Sequence, residues 1–240
     1  MSRARRPLVV ELAGIPGAGK SSLGVAVSAG LTDRGLVVAG PDPSVGPGTG
    51  RVGRLARKSA ASVTVGLHAP RSALRVAGAL LRSGQPGVRD LVARMVQWQV
   101  AQDQLRGSGG GADVLLVDEG LVQCLWSIGL RGDVEPVLHV LRDLPGWRSP
   151  DVLVLVRTAP AVAAARLTGR VSQHSRTQRL PAKSQLAELE RGERLLDRLV
   201  EWWASTAGDP DSVLEVTGSG ATGERVGSVA RRTAEAVGLG

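Results

Sequence analysis

The 240-residue chain contains no phenylalanine, no tyrosine and no asparagine. Its aromatic residues are five tryptophans, so the core must be assembled from valine, leucine and alanine. Without asparagine there can be no Asn-Lys-x-Asp guanine-reading motif, and no Thr-Lys-x-Asp substitute occurs, which argues against a GTPase. The single cysteine, Cys124, excludes an intramolecular disulfide and points to a reducing, cytoplasmic setting. His68, His139 and His174 are scattered, and with one cysteine they give no zinc-ligand spacing. No uncharged run reaches the roughly 18 residues of a membrane span. The basic start MSRARR leads into an apolar run that is short and interrupted by Glu11, so a secretory signal is not expected.

Lysine is scarce too. Lys20, Lys58 and Lys183 stand against 27 arginines, and the net charge is +8. That charge suits an anionic partner, whether nucleic acid, an anionic surface or a small polyanion. The basic clusters lack interleaved aromatics, and no helix-turn-helix or zinc pattern accompanies them, so nucleic acid is not the expected partner.

Five short apolar runs alternate with longer helical patterns. LVVELA (8–13), LVVAG (36–40), the run within ADVLLVDEG (112–120), DVLVLVR (151–157) and SVLEVTG (212–218) read as buried strands. Helical patterns include RVGRLARKSAASV (51–63), GVRDLVARMVQWQVAQDQLRG (87–107) and the long amphipathic stretch 181–206. Thr158 is placed to cap a helix entered through Pro160. Alternation of this kind predicts an α/β fold: a five-stranded parallel sheet with helices on both faces, three layers in all. GSGGG (107–111) is too short to mark a domain boundary, so one domain over 1–240 is expected. The apolar stripe of 186–203 with Trp202 and Trp203 packs on the sheet or serves a homodimer contact.

The scarce lysine has a specific setting. Residues 14–21 read GIPGAGKS, a full match to G-x-x-x-x-G-K-[ST], directly after a predicted strand and at the start of a predicted helix. Gly17 and Gly19 allow positive φ and close approach of backbone N–H groups to an anion. The helix N-terminus adds donors and a positive partial charge. Lys20 supplies a compact ammonium for the β- and γ-phosphates, which the broad fork of an arginine does not. Ser21 offers a hydroxyl to Mg²⁺. Gly14, Pro16, Ala18 and Ser22 complete the candidate nucleotide-binding segment.

Asp118 ends the strand VLLV, where its carboxylate emerges at the C-terminal edge of the sheet, the ligand-binding edge of open α/β folds. It is a candidate Mg²⁺ ligand with Ser21. Glu119 can share that role or accept a proton from an attacking hydroxyl. Arg166 and Arg170 share one helix face, and Arg176 and Arg179 follow in a polar stretch. These arginines suit either a closing lid that stabilises phosphoryl charge or a solvated basic face.

Together, GIPGAGKSS after the first strand, the acidic pair after VLLV, and DVLVLVRTAPAVAAARLTGR before an Arg-rich segment resemble P-loop kinases of nucleosides and nucleotides, above all the thymidylate kinase and deoxynucleoside kinase group. SVLEVTGSGATGERVGSVARR is similar to that group's last strand, adenine-side loop and final helix. The resemblance spans most of residues 8–238. It implies ATP with Mg²⁺ as donor and an Arg-bearing lid at about 166–182. Two features depart from the group. An acidic residue followed by arginine is replaced by Asp118-Glu119-Gly120, so the arginine that positions the acceptor is missing. The aromatic residues on which the acceptor base stacks have no Phe or Tyr counterpart. Trp98, with Gln102 one turn on, lies where the group places its acceptor-contacting helix, as a base-reading face or as core. Trp126 has the same two readings. Asp42, in the loop after the second strand, faces the acceptor by resemblance or forms a plain Pro-Asp turn.

The sequence therefore supports a kinase that moves the ATP γ-phosphate to a nucleoside, a nucleoside monophosphate or another small acceptor. Its alternative is a P-loop ATPase or nucleotide-dependent regulatory protein with no small acceptor.

Overall fold

The computed structural model describes residues 6–40, 70–106, 111–144, 147–169, 177–207, 212–217 and 223–238. Five strands form one sheet: β1 (Leu8–Ala13), β2 (Val38–Ala39), β3 (Val114–Val117), β4 (Val152–Arg157) and β5 (Val213–Thr217). Their order is β2-β3-β1-β4-β5, and all pairs are parallel. The unbroken apolar runs are explained by burial on both faces; Val9 to Ala13 are all buried, Glu11 among them. In register, Glu11 stands opposite Val117 on β3 and Leu153 on β4. β2 is shorter than LVVAG implied. Val37 is 57% exposed, and its N–H is taken by the Asp113 carboxylate at 2.8 Å rather than by a ladder partner.

Helices α1 (Lys20–Thr32), α2 (Pro70–Arg82), α3 (Val88–Arg106), α4 (Leu121–Arg131), α5 (Glu135–Arg142), α6 (Pro160–Thr168), α7 (Ala182–Ala207) and α8 (Gly223–Val237) connect and cover the strands. α1 packs against α8, α3 against α4, and α7 against both α4 and α6. The stripe of α7 faces inward. Leu189, Leu195, Leu196, Leu199, Trp202 and Trp203 are buried, and Trp202 lies beside Trp147 with ring centroids 6.1 Å apart. Trp202 and Trp203 are thus core residues of the chain. The helix expected over 51–63 lies outside the described residues. None of the helices among the described residues is long and apolar enough to cross a membrane.

Cys124 lies fully buried on α4, and burial pushes its thiol up to about 12. At pH 8 it should react with iodoacetamide about a thousandfold more slowly than an exposed thiol, because so little is thiolate. Denaturation should restore ordinary reactivity. Fast labelling of the native protein, counted by mass, would contradict this packing of α4.

Candidate functional site

β1 runs directly into the glycine loop, and α1 begins at Lys20. Gly17 (φ 87°) and Gly19 (φ 100°) hold the left-handed conformation that the motif requires. A Cβ on Gly17 would lie 2.6 Å from the carbonyl oxygen of Ala163, and one on Gly14 2.7 Å from that of Val156. Glycine at these two positions lets the loop lie against α6 and β4. The loop is also held through its carbonyls. Thr158 Oγ1 donates to Ala18 O at 3.1 Å, and Arg166 Nη1 to Gly17 O and Ala18 O at 3.4 Å each. Thr158 therefore serves the loop and does not cap α6, whose N-cap is Ala159. No side chain caps α1, so none competes for the N–H groups at its start. Lys20 Nζ curls over the loop, donating to Gly14 O at 2.6 Å and Ile15 O at 3.3 Å.

Asp118 and Glu119 follow β3, the neighbour of β1, and so emerge beside the glycine loop. Pro16 to Ser21, Asp118 and Glu119 line one cavity of about 1040 Å³. Its far wall comes from α3 (Arg94, Gln97) and α4 (Gln123, Trp126), and Arg179 lines it as well. Gly14 is buried, Ser22 is exposed on α1, and neither lines the cavity. Nor does Arg166, whose place is on the loop's backbone. Asp42, Arg170 and Arg176 lie outside the described residues.

Two expected acceptor-side residues are elsewhere. Trp98 is 4% exposed in the core, and Gln102 is 2% exposed. Gln102 clasps the backbone of Arg148, donating to its carbonyl at 3.2 Å and accepting from its N–H at 3.1 Å. The face of α3 that meets the cavity is rotated by about a quarter turn and carries Arg94 and Gln97 instead. Trp126 is both core and wall: it is 5% exposed, lines the cavity, and donates from Nε1 to Gly192 O at 2.7 Å.

Glu11 is a residue that the sequence reading passed over. Its carboxylate is fully buried at the start of α4, where Oε1 accepts from Gln123 N at 3.0 Å. Burial raises its pKa to about 7, against the lowering effect of hydrogen bonds from the Gln123, Leu121 and Val122 backbones. Gly120 makes room for it: a Cβ there would lie 2.5 Å from Glu11 Oε2. A carboxylate inside an otherwise apolar strand was the available signal.

Solved structures share this architecture. Deoxyadenosine kinase from M. mycoides with bound dATP aligns with a TM-score of 0.51 and 11% identity, over 93% of this chain and 98% of that one. The same enzyme with products dCMP and a flexible dCDP bound aligns at 0.53 and 11%, over 95% and 99%. The chain shares with that enzyme a fold built on a five-stranded parallel sheet. Neither a family model nor any curated protein matches the chain.

Within this fold, the acidic pair fits a magnesium ion. Asp118 has its carboxyl pKa raised by burial and by the charge of Glu119, while Lys20 opposes the rise. A cation would relieve that repulsion. Among the described residues no group of three or more His, Cys, Asp or Glu forms a protein-only metal cage. Magnesium does not need one, because it commonly uses one or two carboxylates with phosphate oxygens and water. Ser21 and Asp118 are the residues that would hold it.

The raised Glu11 pKa has a signed consequence. The unfolded chain gives up this proton near the ordinary carboxyl value of 4.5 and the folded one near 7, so stability from this group falls as pH rises across that window. Between pH 4.5 and 7.5 the wild type should lose up to about 3 kcal/mol relative to Glu11→Gln. Urea unfolding at both pH values measures the difference, and a constant gap would refute the assignment.

Proposed function

We propose that the protein is a Mg²⁺-ATP-dependent phosphotransferase acting on a small acceptor, a nucleoside or nucleoside monophosphate in the first instance. One observation carries this reading: the glycine loop with Lys20, the carboxylates Asp118 and Glu119, and the polar wall of α3 and α4 all face a single cavity. At about 1040 Å³ it stands at the upper end of ordinary ligand pockets, which suits a donor and an acceptor together. The likeness to a deoxyadenosine kinase that binds dATP and dCMP supports the same reading.

In this mechanism the loop N–H groups and the start of α1 hold the β- and γ-phosphates, and Lys20 balances charge on the transferring group. Mg²⁺, which Ser21 and Asp118 would hold, would supply positive charge against the charge developing in the transfer. The acceptor oxygen forms a bond to the γ-phosphorus as the bond to the β-phosphate oxygen breaks, releasing ADP. Glu119, 1 residue beyond Asp118 and exposed to the cavity, receives the acceptor proton when the acceptor is a hydroxyl. Arg179, one of the arginines lining the cavity, is available to the equatorial oxygens, and Arg166 keeps the loop in shape.

ADP release with Mg-ATP should depend on an acceptor drawn from nucleosides, nucleoside monophosphates, sugars and small alcohols. Lys20→Ala should lower that turnover about 10²-fold or more with its circular dichroism unchanged. Release that ignores every acceptor would favour the ATPase or regulatory alternative. Asp118→Ala should cut Mg²⁺-dependent turnover far more than metal-free nucleotide binding, measured by calorimetry in EDTA. Equal losses in both would make Asp118 a structural residue.

A further inference from the structure

Arg94 stands on α3 with its guanidinium largely buried in the cavity wall. Two other half-buried arginines of the fold, Arg131 and Arg157, are neutralised by carboxylates, whereas Arg166 is spent on the carbonyls of the glycine loop. Arg131 pairs with Asp90 at 2.6 Å, and Arg157 pairs with Asp197 and Glu215. Among the described residues, Arg94 has no carboxylate within ion-pair reach. Asp90, one turn earlier, is engaged by Arg131, and Glu119 acts on Arg94 only at a distance. Cys124, which also acts on Arg94, is a neutral thiol at neutral pH and supplies no counter-charge there. Desolvation accordingly lowers the Arg94 pKa.

An uncompensated buried cation costs several kcal/mol in general, so a chain keeps one where something else supplies the counter-charge. Here the guanidinium is also held in place. Arg94 Nη1 donates to Gln97 Oε1 at 2.7 Å, Gln97 Nε2 reaches Ser127 Oγ at 3.4 Å, and Ser127 Oγ donates to Gln123 O at 2.9 Å. This chain of polar groups spans α3 and α4 and fixes the fork against the cavity. Nε remains buried without a hydrogen-bond partner.

We infer that the acceptor carries an anionic group, a phosphate monoester or a carboxylate, and that Arg94 binds it. This rests on the phosphotransferase reading and narrows its acceptor class: a nucleoside monophosphate or a hydroxy acid is favoured over a neutral nucleoside or alcohol. Arg94 is then a specificity-determining residue, and the Gln97–Ser127 relay positions it.

The test uses acceptors in matched pairs, each nucleoside with its 5′-monophosphate and each small alcohol with its carboxylate analogue, with ADP release as readout. Wild type should prefer the charged member. Arg94→Gln should raise KM for that member about tenfold or more while changing the neutral member less than about twofold. Arg94→Lys should recover part of the loss, and thermal melting of both variants guards against misfolding. Preference for the neutral member, or equal damage to both members, overturns the inference and leaves the kinase reading standing. If no acceptor of either kind supports ADP release, the kinase reading fails. Calorimetric titration of nucleoside monophosphates into wild type and Arg94→Gln then decides the anion site: binding lost only in the variant supports it, and equal or absent binding refutes it.

Discussion

Between the central strand of the sheet and the first turn of α4 lies a single buried carboxylate, that of Glu11. It ties β1, which delivers the glycine loop, to the segment that carries Asp118 and Glu119. A carboxylate removed from water needs compensation, and here the backbone N–H groups of Leu121, Val122 and Gln123 supply it, helped by the positive end of the helix. Compensation is incomplete, since burial still outweighs those bonds. Gly120 follows as a consequence. A Cβ at Gly120 would lie 2.5 Å from the Glu11 carboxylate, so the position after the acidic pair is kept free of a side chain.

The strand order then places the chemistry. β1 pairs with β3 on one side and β4 on the other. Asp118 therefore stands on one flank of the glycine loop and Thr158 on the opposite flank. The loop has two left-handed glycines, and its shape is sustained by bonds to its carbonyls from Thr158, Arg166 and Lys20 itself. Donor groups thus occupy the carbonyl side of the loop, and within it Ala18 N–H donates to Ile15 O at 3.1 Å. Lys20 contributes twice, as a brace on Gly14 and Ile15 and as a positive charge that opposes the rise of the Asp118 pKa.

The glycine loop was legible in the sequence because its signals are local. Eight consecutive residues carry the loop motif, and the positive φ of Gly17 and Gly19 follows from its geometry. The strands were legible because burial on both faces leaves apolar runs. The cavity's far wall was not, because it depends on which way α3 is turned. Apolar and polar residues alternate irregularly along RMVQWQVAQDQ, so no stripe announces the buried face. Contact with α4 decides it: Trp98 goes inward, where its large apolar surface is removed from water, and Gln102 follows to clasp Arg148. That turn of the helix presents Arg94 and Gln97. Glu11 escaped notice for a related reason, since a charge in a strand reads as an interruption until the helix end that receives it is known. Thr158 was misread as a cap because its real partner, Ala18 O, lies 140 residues away in sequence.

The placement of cations across the site is consistent with their chemistry. A lysine, a compact point charge, stands on the glycine loop, over the carbonyls of Gly14 and Ile15. Arginines stand where a planar fork meets fixed acceptors: Arg131 on Asp90, Arg166 on two loop carbonyls, Arg94 on Gln97. The wall facing the loop therefore presents charge and hydrogen-bonding groups, with Trp126 as an aromatic surface whose ring is pinned by Gly192. Such a wall rewards a ligand that brings its own negative charge. A neutral base would leave Arg94 desolvated and unanswered, and the cost of that state is the physical basis for selectivity.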